Sequence, residues 1–260
     1  MNNTTKCYTF SGDELIRICF GLEQRFQRLH QFMRGASADA ELALDLVVQI
    51  VQYADRYDLK NKYVRFFRLA KKYYQVLSDH PQVDSSLLSD HIAQFDGMEA
   101  KLYGHTGMLT EELTNNPFLQ ILKKQSSKSD IGTLDLLCSY LQAWLSRSRD
   151  ACLSDIEYFY RELQWLESNT VEVLRFLRDN SSVHQATTSD GYYQYELSQG
   201  LSQLYMINVF VDSDQLVPVV SVDRRRLLLK FNYMSVADKS KSPHVIHGDK
   251  VDFSLGIGAL

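Results

Sequence analysis

The chain has 260 residues, enough for one large domain or two smaller ones that each bury a hydrophobic core. Its formal net charge of -4 argues against general attraction to nucleic acid or to an anionic membrane, so any basic surface must be local. Its first residues lack the basic and apolar regions of a signal peptide, and no run of about 18 apolar residues occurs, so we expect a cytoplasmic protein.

The first two-thirds of the chain has the apolar spacing of amphipathic helices. Steps of three and four residues predict the first helix over 12–33, with Ser11 or Asp13 as its N-cap. Further helices are predicted over residues 38–57, 61–78, 85–102 and 109–124. Asn116-Pro117 is expected to divide the last of these, because proline lacks a backbone donor.

Helical spacing returns over residues 133–147, after a polar segment at 125–130 that is predicted to be a loop. The predicted buried side of that helix carries Leu134, Leu137, Leu141 and Leu145. The run Ser154-Asp-Ile-Glu157 has the sequence of a capping box and predicts the start of a long final helix, which ends near Asn180.

The pattern becomes β-like in the last third of the chain. Leu204–Val211 favours a strand, Asp212–Gln215 favours a turn, Pro218–Phe231 is strand-like, and Val251–Leu255 favours one more strand. The predicted fold class is therefore α+β, with a mainly α-helical N-terminal domain over residues 1–182 and a small antiparallel β domain over residues 183–260.

No sequence motif indicates catalysis. Phosphate-binding, dinucleotide-binding, nucleophile-elbow and zinc-protease motifs are absent, and the four cysteines do not have metal-ligand spacing. His244 and His247 could share a metal ion, but two exposed tail histidines are the favoured interpretation. We therefore expect a protein that is not an enzyme and that has no cofactor.

The run Arg224-Arg225-Arg226 precedes an alternating segment in the last third. If Leu227 faces the core, strand alternation puts Arg226, Leu228 and Lys230 together on the opposite face. Such a face could bind the carboxylates of an acidic peptide or the phosphates of a nucleic acid, or it could be an ordinary solvated surface.

Several segments, taken together, resemble a known family. The sharpest are Asp190–Gln194 and Pro218-x-x-Ser221, which precede the basic run and Lys230-Phe231. Asp58-Leu59-Lys60, Asp135-Leu136 and Trp165 agree in order upstream. With these segments the chain resembles, over nearly its whole length, the ZapD family of Z-ring-associated bacterial cell division proteins.

The resemblance implies a non-enzymatic homodimer that binds the C-terminal tail of the tubulin-like FtsZ. Such a dimer would cross-link FtsZ protofilaments into bundles at the midcell division site. The partner-binding residues that the resemblance implies are Arg17, Arg56, Lys123, Arg224, Arg226 and Lys230. The alternative is a regulatory module that uses the same basic sheet face for nucleic acid or an acidic ligand, although the net charge argues against nucleic acid.

Overall fold

The chain forms two compact units. The structure is a computed structural model that describes residues 5–35, 39–56, 58–78, 85–104, 109–126, 137–196, 204–213, 215–223, 226–234, 244–245 and 250–259. One unit is Ile18–Leu174, and the other combines Met1–Arg17 with Arg175–Leu260. Helices dominate the first unit and antiparallel strands the second, which confirms the predicted α+β class. The domain limits of 1–182 and 183–260 stay predictions.

The helices agree closely with the apolar spacing of the sequence. In chain order they are α1 (Glu14–Met33), α2 (Ala40–Ala54), α3 (Leu59–Ser78), α4 (Ser85–Gly104), α5 (Glu111–Thr114), α6 (Pro117–Ser126), α7 (Ser139–Leu145) and α8 (Arg149–Asp179). Asp13 caps α1, since its Oδ1 accepts the backbone N–H of Ile16 at 3.2 Å. Within the described part of the chain, no helix is long and apolar enough to cross a membrane.

The predicted break at Asn116-Pro117 is confirmed, because α5 ends before it and α6 begins at Pro117. Asn116 caps α6 through its Oδ1, which accepts the backbone N–H groups of Phe118 at 3.0 Å and Leu119 at 3.1 Å. The helix continues to Ser126, so the first residues of the predicted loop at 125–130 are helical.

The core of the helical unit contains a satisfied hydroxyl pair between α3 and α8. Tyr63 is fully buried, and its hydroxyl lies 2.9 Å from Oγ1 of Thr170. Thr170 also donates to the carbonyl oxygen of Leu166 at 2.8 Å. Beside this pair, the rings of Phe67 and Phe95 stack at 5.4 Å, which joins α3 to α4. Because its polar atoms are paired, this apolar core carries little desolvation cost at these positions.

The predicted capping box at Ser154 is wrong, because α8 begins at Arg149. Ser148 caps the helix instead: its Oγ accepts the backbone N–H of Ala151 at 3.3 Å. Ser154 therefore lies in the helix interior on an exposed face. In the described residues the helix before it is also shorter than predicted, because α7 covers only Ser139–Leu145. Residues 133–136 of the predicted helix lie outside the described part of the chain.

Leu137 does not belong to the buried side of that helix. Its side chain is 86% exposed, whereas Leu141 is fully buried. Leu137 precedes the first residue of α7, so helical spacing does not align it with the later leucines.

The strands of the described residues form two antiparallel sheets. They are β1 (Lys6–Phe10), β2 (Ser182–Thr188), β3 (Tyr192–Glu196), β4 (Leu204–Val211), β5 (Leu216–Val222), β6 (Arg226–Tyr233), β7 (His244–Val245) and β8 (Val251–Ala259). The first sheet has the order β1-β4-β8-β2, and the second has the order β3-β6-β5, with β7 pairing to β6. The predicted strands at 204–211 and 251–255 are confirmed, and β8 is longer than predicted.

Both sheets contribute side chains to one hydrophobic core. Val209 and Leu255 enter it from the first sheet, and Leu229 and Phe231 enter it from the second. The rings of Phe231 and Phe253 lie 4.9 Å apart between the two sheets. The second sheet therefore has one face directed to this core and an opposite face that does not enter it.

The predicted strand-like character of Pro218–Phe231 is confirmed, and the structure divides the segment into the two strands of the antiparallel hairpin β5–β6. The turn of the hairpin begins at Asp223, whose backbone N–H donates to the carbonyl oxygen of Arg226 at 2.8 Å. Residues 224 and 225 lie outside the described part of the chain. Aspartate disfavours strands and favours turns, which explains the reversal at this point.

Candidate partner-binding site

A tight turn before β3 fixes the edge of the second sheet. Gly191 has a φ of 76°, in the left-handed region that glycine adopts without strain. Oδ1 of Asp190 accepts the backbone N–H of Tyr192 at 3.2 Å and the hydroxyl of Thr188 at 2.9 Å. This turn aligns β3 with the central strand β6, and Phe231 donates its backbone N–H to the Gly191 carbonyl oxygen at 2.8 Å.

Strand β6 alternates between the core and the opposite face, as the sequence predicted. Leu227, Leu229 and Phe231 are buried. Arg226 is exposed and Lys230 is half-buried on the other side of the strand. The same alternation predicts that Arg225 points to the core side, but this residue lies outside the described part of the chain.

Neighbouring strands complete this surface, which we call the outer face. It comprises Tyr192, Gln194 and Glu196 from β3, Arg226, Leu228 and Lys230 from β6, and Val219 and Ser221 from β5. Residues that pair directly across an antiparallel sheet share a face, and their side chains are close neighbours. The face is thus a mixed surface of cations, one carboxylate and apolar groups.

Three large apolar side chains on the outer face are exposed to solvent. Tyr192 is 50% exposed, Val219 47% and Leu228 45%. The sequence predicts the two cations and Leu228 on this face, but no local pattern predicts Tyr192 or Val219 there. Only the strand register brings them beside Lys230, which pairs with Tyr192 on one side and with Val219 on the other.

The charges of the outer face are unevenly balanced. Arg226 pairs in register with Glu196, an opposite charge directly across the two strands. Lys230 has no charged register partner, because its neighbours are Tyr192 and Val219. Among the described residues, neither cation forms an ion pair within contact distance. Both can therefore donate hydrogen bonds to a carboxylate that approaches from solvent.

Two predicted residues of the helical unit come close to each other at the end of α2. Lys123 of α6 forms an ion pair with Oδ2 of Asp55, the residue that precedes Arg56. The hydrogen bond that Lys62 donates to Asp58 is the main cause of a lowered pKa of that carboxyl group. Arg56 is exposed, and its nearby charge makes a smaller contribution to the same lowering. Arg56 and Lys123 thus lie in a cluster of mixed charge.

Of the remaining predicted residues, the structure describes Arg17 but not Arg224. Arg17 lies on the exposed side of α1, and no described residue forms a hydrogen bond or ion pair with its side chain. Arg224 lies outside the described part of the chain. In the described ranges there is also no group of three or more His, Cys, Asp or Glu side chains that could hold a metal ion.

Comparison with known proteins points to one family. The sequence profile of ZapD, described as a cell division protein, matches residues 20–230. The chain is 23% identical to a Coxiella burnetii (strain RSA 331 / Henzerling II) protein over 254 residues, 97% of each chain. It is 25% identical to a Bordetella petrii protein over 252 residues, 96% of this chain and 98% of the other. A Dechloromonas aromatica protein is 24% identical over 225 residues, 86% of this chain and 88% of the other. All three are named Cell division protein ZapD.

Proposed function

The chain belongs to the ZapD family of cell division proteins, and from that premise we propose that it binds the C-terminal tail of FtsZ and bundles FtsZ protofilaments. In this proposal the protein acts as a homodimer at the midcell division site and performs no chemical reaction. Each protomer supplies one tail-binding site. A dimer with two such sites joins two filaments.

The observation that carries the proposal is the outer face. Arg226 and Lys230 extend from one side of a strand in the middle of its sheet, so the strand pairing fixes the backbone positions from which both cations extend. Guanidinium and ammonium groups bind carboxylates through charge-assisted hydrogen bonds. A sheet face of this kind suits an extended, acidic segment better than a folded ligand, since residues of an extended chain repeat at the strand spacing.

Bivalency explains how exposed charges could support stable bundles. An exposed ion pair contributes little by itself and is weakened by salt. Once one protomer holds a tail, however, the second site meets further tails at a high effective concentration along the filament. Because each contact is weak and is screened by salt, bundling is expected to be reversible and to weaken as the salt concentration rises, although each dimer bridges two filaments.

The experiment that tests the proposal compares two forms of purified FtsZ, one complete and one without its C-terminal tail. Each is polymerised with GTP, mixed with this protein and sedimented at low speed. We expect complete FtsZ to pellet as bundles and tailless FtsZ to stay in the supernatant. Light scattering measures the molar mass of the protein alone in solution, and this mass gives its oligomeric state. Equal pelleting of both forms of FtsZ, or of neither, would contradict the proposal.

A further inference from the structure

We propose that the outer face recognises a pattern that combines charge with an apolar contact, and that Glu196 tunes its affinity. The occupant is an extended segment of the partner in which an acidic residue lies two positions from an apolar residue. The acidic side chain binds Lys230 and the apolar side chain covers Leu228. This inference rests on the proposed function, because it specifies what the same surface selects in the partner.

The apolar part of the argument comes from the strand register. Leu228 is next to Lys230 on the same face of β6, about 7 Å away at the spacing of alternate strand residues. Tyr192 and Val219 lie on either side of Lys230 in the adjacent strands. Each of these three apolar side chains is close to half exposed, and the register places all three around one cation. A partner segment that buries this patch removes apolar surface from water.

The charged part of the argument comes from the difference between the two cations. Glu196 is the register partner of Arg226, so the positive charge there is partly balanced within the protein. A carboxylate that approaches Arg226 is repelled by Glu196. Lys230 has only uncharged register partners and attracts an acidic group without this opposition. Complementarity to negative charge is therefore centred on Lys230, and Leu228 lies between Lys230 and Arg226 along β6.

Two substitutions with opposite expected effects separate this inference from simple loss of folding. Leu228→Ser removes the apolar contact but keeps every charge. Glu196→Gln keeps the shape of the side chain and removes the opposing charge. A damaged protein can explain weaker binding by the first variant, but it does not explain tighter binding by the second. Val183→Ser is the matched control, since Val183 is a 58% exposed apolar residue on β2, away from the outer face.

The measurement is the fluorescence anisotropy of a labelled peptide with the sequence of the FtsZ C-terminal tail. Leu228→Ser should weaken binding about 5-fold, by an amount that persists at high salt because the lost contact is apolar. Glu196→Gln should strengthen binding about 2-fold to 3-fold, and this gain should shrink as salt screens the charges. Val183→Ser should bind as the wild type does. If the wild type binds the tail while Leu228→Ser and Glu196→Gln leave the affinity unchanged, the inference is overturned and the proposed function stands.

A second probe tests the inference if the wild type does not bind the tail, a result that would count against the proposed function. Two immobilised peptides, Gly-Ser-Glu-Thr-Leu-Thr-Glu-Ser-Gly and the same peptide with serine in place of leucine, present equal charge. We expect the wild type to prefer the leucine peptide about 5-fold and Leu228→Ser to lose that preference. Equal binding to both would overturn the inference. Conversion of a wild-type dimer into a monomer by Leu228→Ser would also overturn it, because the patch would then be a contact between copies of the chain.

Discussion

Lys123 forms an ion pair with Asp55, the C-cap residue of α2, although the two are 68 positions apart in the sequence. The Asp55 side chain is only 17% exposed, and its second carboxylate oxygen is buried and has no hydrogen-bond partner among the described residues. Lys123 therefore compensates a carboxylate that has limited access to water. This structural role is separate from the partner-binding role that the family resemblance implies for the same residue.

Lys123→Met should lower the free energy of unfolding by about 1–2 kcal/mol, because it leaves the Asp55 carboxylate without its cation. Urea denaturation measures this change. Lys72→Met is the control: Lys72 is exposed on α3, and no described residue pairs with it. If the two variants have the same stability, the ion pair contributes nothing to the fold, and Lys123 is available for a partner.

Unlike Lys123→Met, Arg17→Gln should leave the stability of the protein almost unchanged. Because Arg17 is exposed and unpaired within the described residues, its replacement should change the free energy of unfolding by less than about 0.5 kcal/mol. If Arg17 belongs to the partner site, pelleting of FtsZ should need about 3-fold more protein. Unchanged pelleting in this variant would remove Arg17 from the proposed site.

Glu99 is expected to make the stability of the helical unit depend on pH. It is buried between two cations: Oε1 accepts a hydrogen bond from Arg68 Nε at 2.7 Å, and Oε2 accepts one from Lys71 Nζ at 2.6 Å. Burial by itself would raise the pKa of Glu99, but the hydrogen bonds from Lys71 and Arg68 outweigh burial and leave the pKa below its ordinary value. The carboxylate therefore stabilises the fold above the ordinary glutamate pKa, and this stabilisation is lost as the pH falls through the lower pKa of the folded state.

Glu99→Gln should cost about 1–3 kcal/mol of unfolding free energy near neutral pH, where the wild-type carboxylate is ionised in both the folded and the unfolded state. The difference from the wild type should shrink as the pH falls below about 5 and through the lowered pKa of the folded state, where the wild-type carboxylate takes up its proton. Urea denaturation at a series of pH values gives both results. A difference that stays constant over this range would exclude Glu99 as a source of acid sensitivity.

The start of α8 can be tested with two serines. Ser148→Ala removes the cap that accepts the Ala151 backbone N–H and should cost about 1 kcal/mol of unfolding free energy. Ser154→Ala, at an exposed position inside the helix, should be neutral or slightly stabilising, because alanine has the higher helix propensity. If Ser154→Ala is the costly substitution, α8 begins at the predicted capping box.

The local sequence pattern predicted those helices and strands whose own residues show a regular apolar period. Spacing of apolar residues predicted α1 to α4 closely, and alternation in β6 predicted that Arg226 and Lys230 share the face opposite the core. The capping-box error has a local cause as well, since the same four residue types occur in helix interiors, and only the hydrogen bond of Ser148 identifies the cap.

Long-range pairing accounts for what the sequence did not reveal. The short strand β1 exists because Tyr8 pairs with Val209 of β4, a partner that no local pattern identifies. The same holds for the site: Tyr192, Val219 and Glu196 become neighbours of β6 only through the register of three strands. Likewise, the contact of Lys123 with Asp55 depends on how α6 meets the end of α2.

The central claim is that Arg226 and Lys230 on the outer face bind FtsZ. The most direct test is low-speed sedimentation of FtsZ and GTP with a variant that combines Arg226→Glu and Lys230→Glu. The matched control combines Arg65→Glu and Lys72→Glu, two exposed cations of α3 that no described residue pairs with. We expect the outer-face variant to keep its circular dichroism spectrum and leave FtsZ in the supernatant, while the control bundles FtsZ as the wild type does. A folded outer-face variant that still pellets FtsZ at wild-type concentrations would contradict the claim.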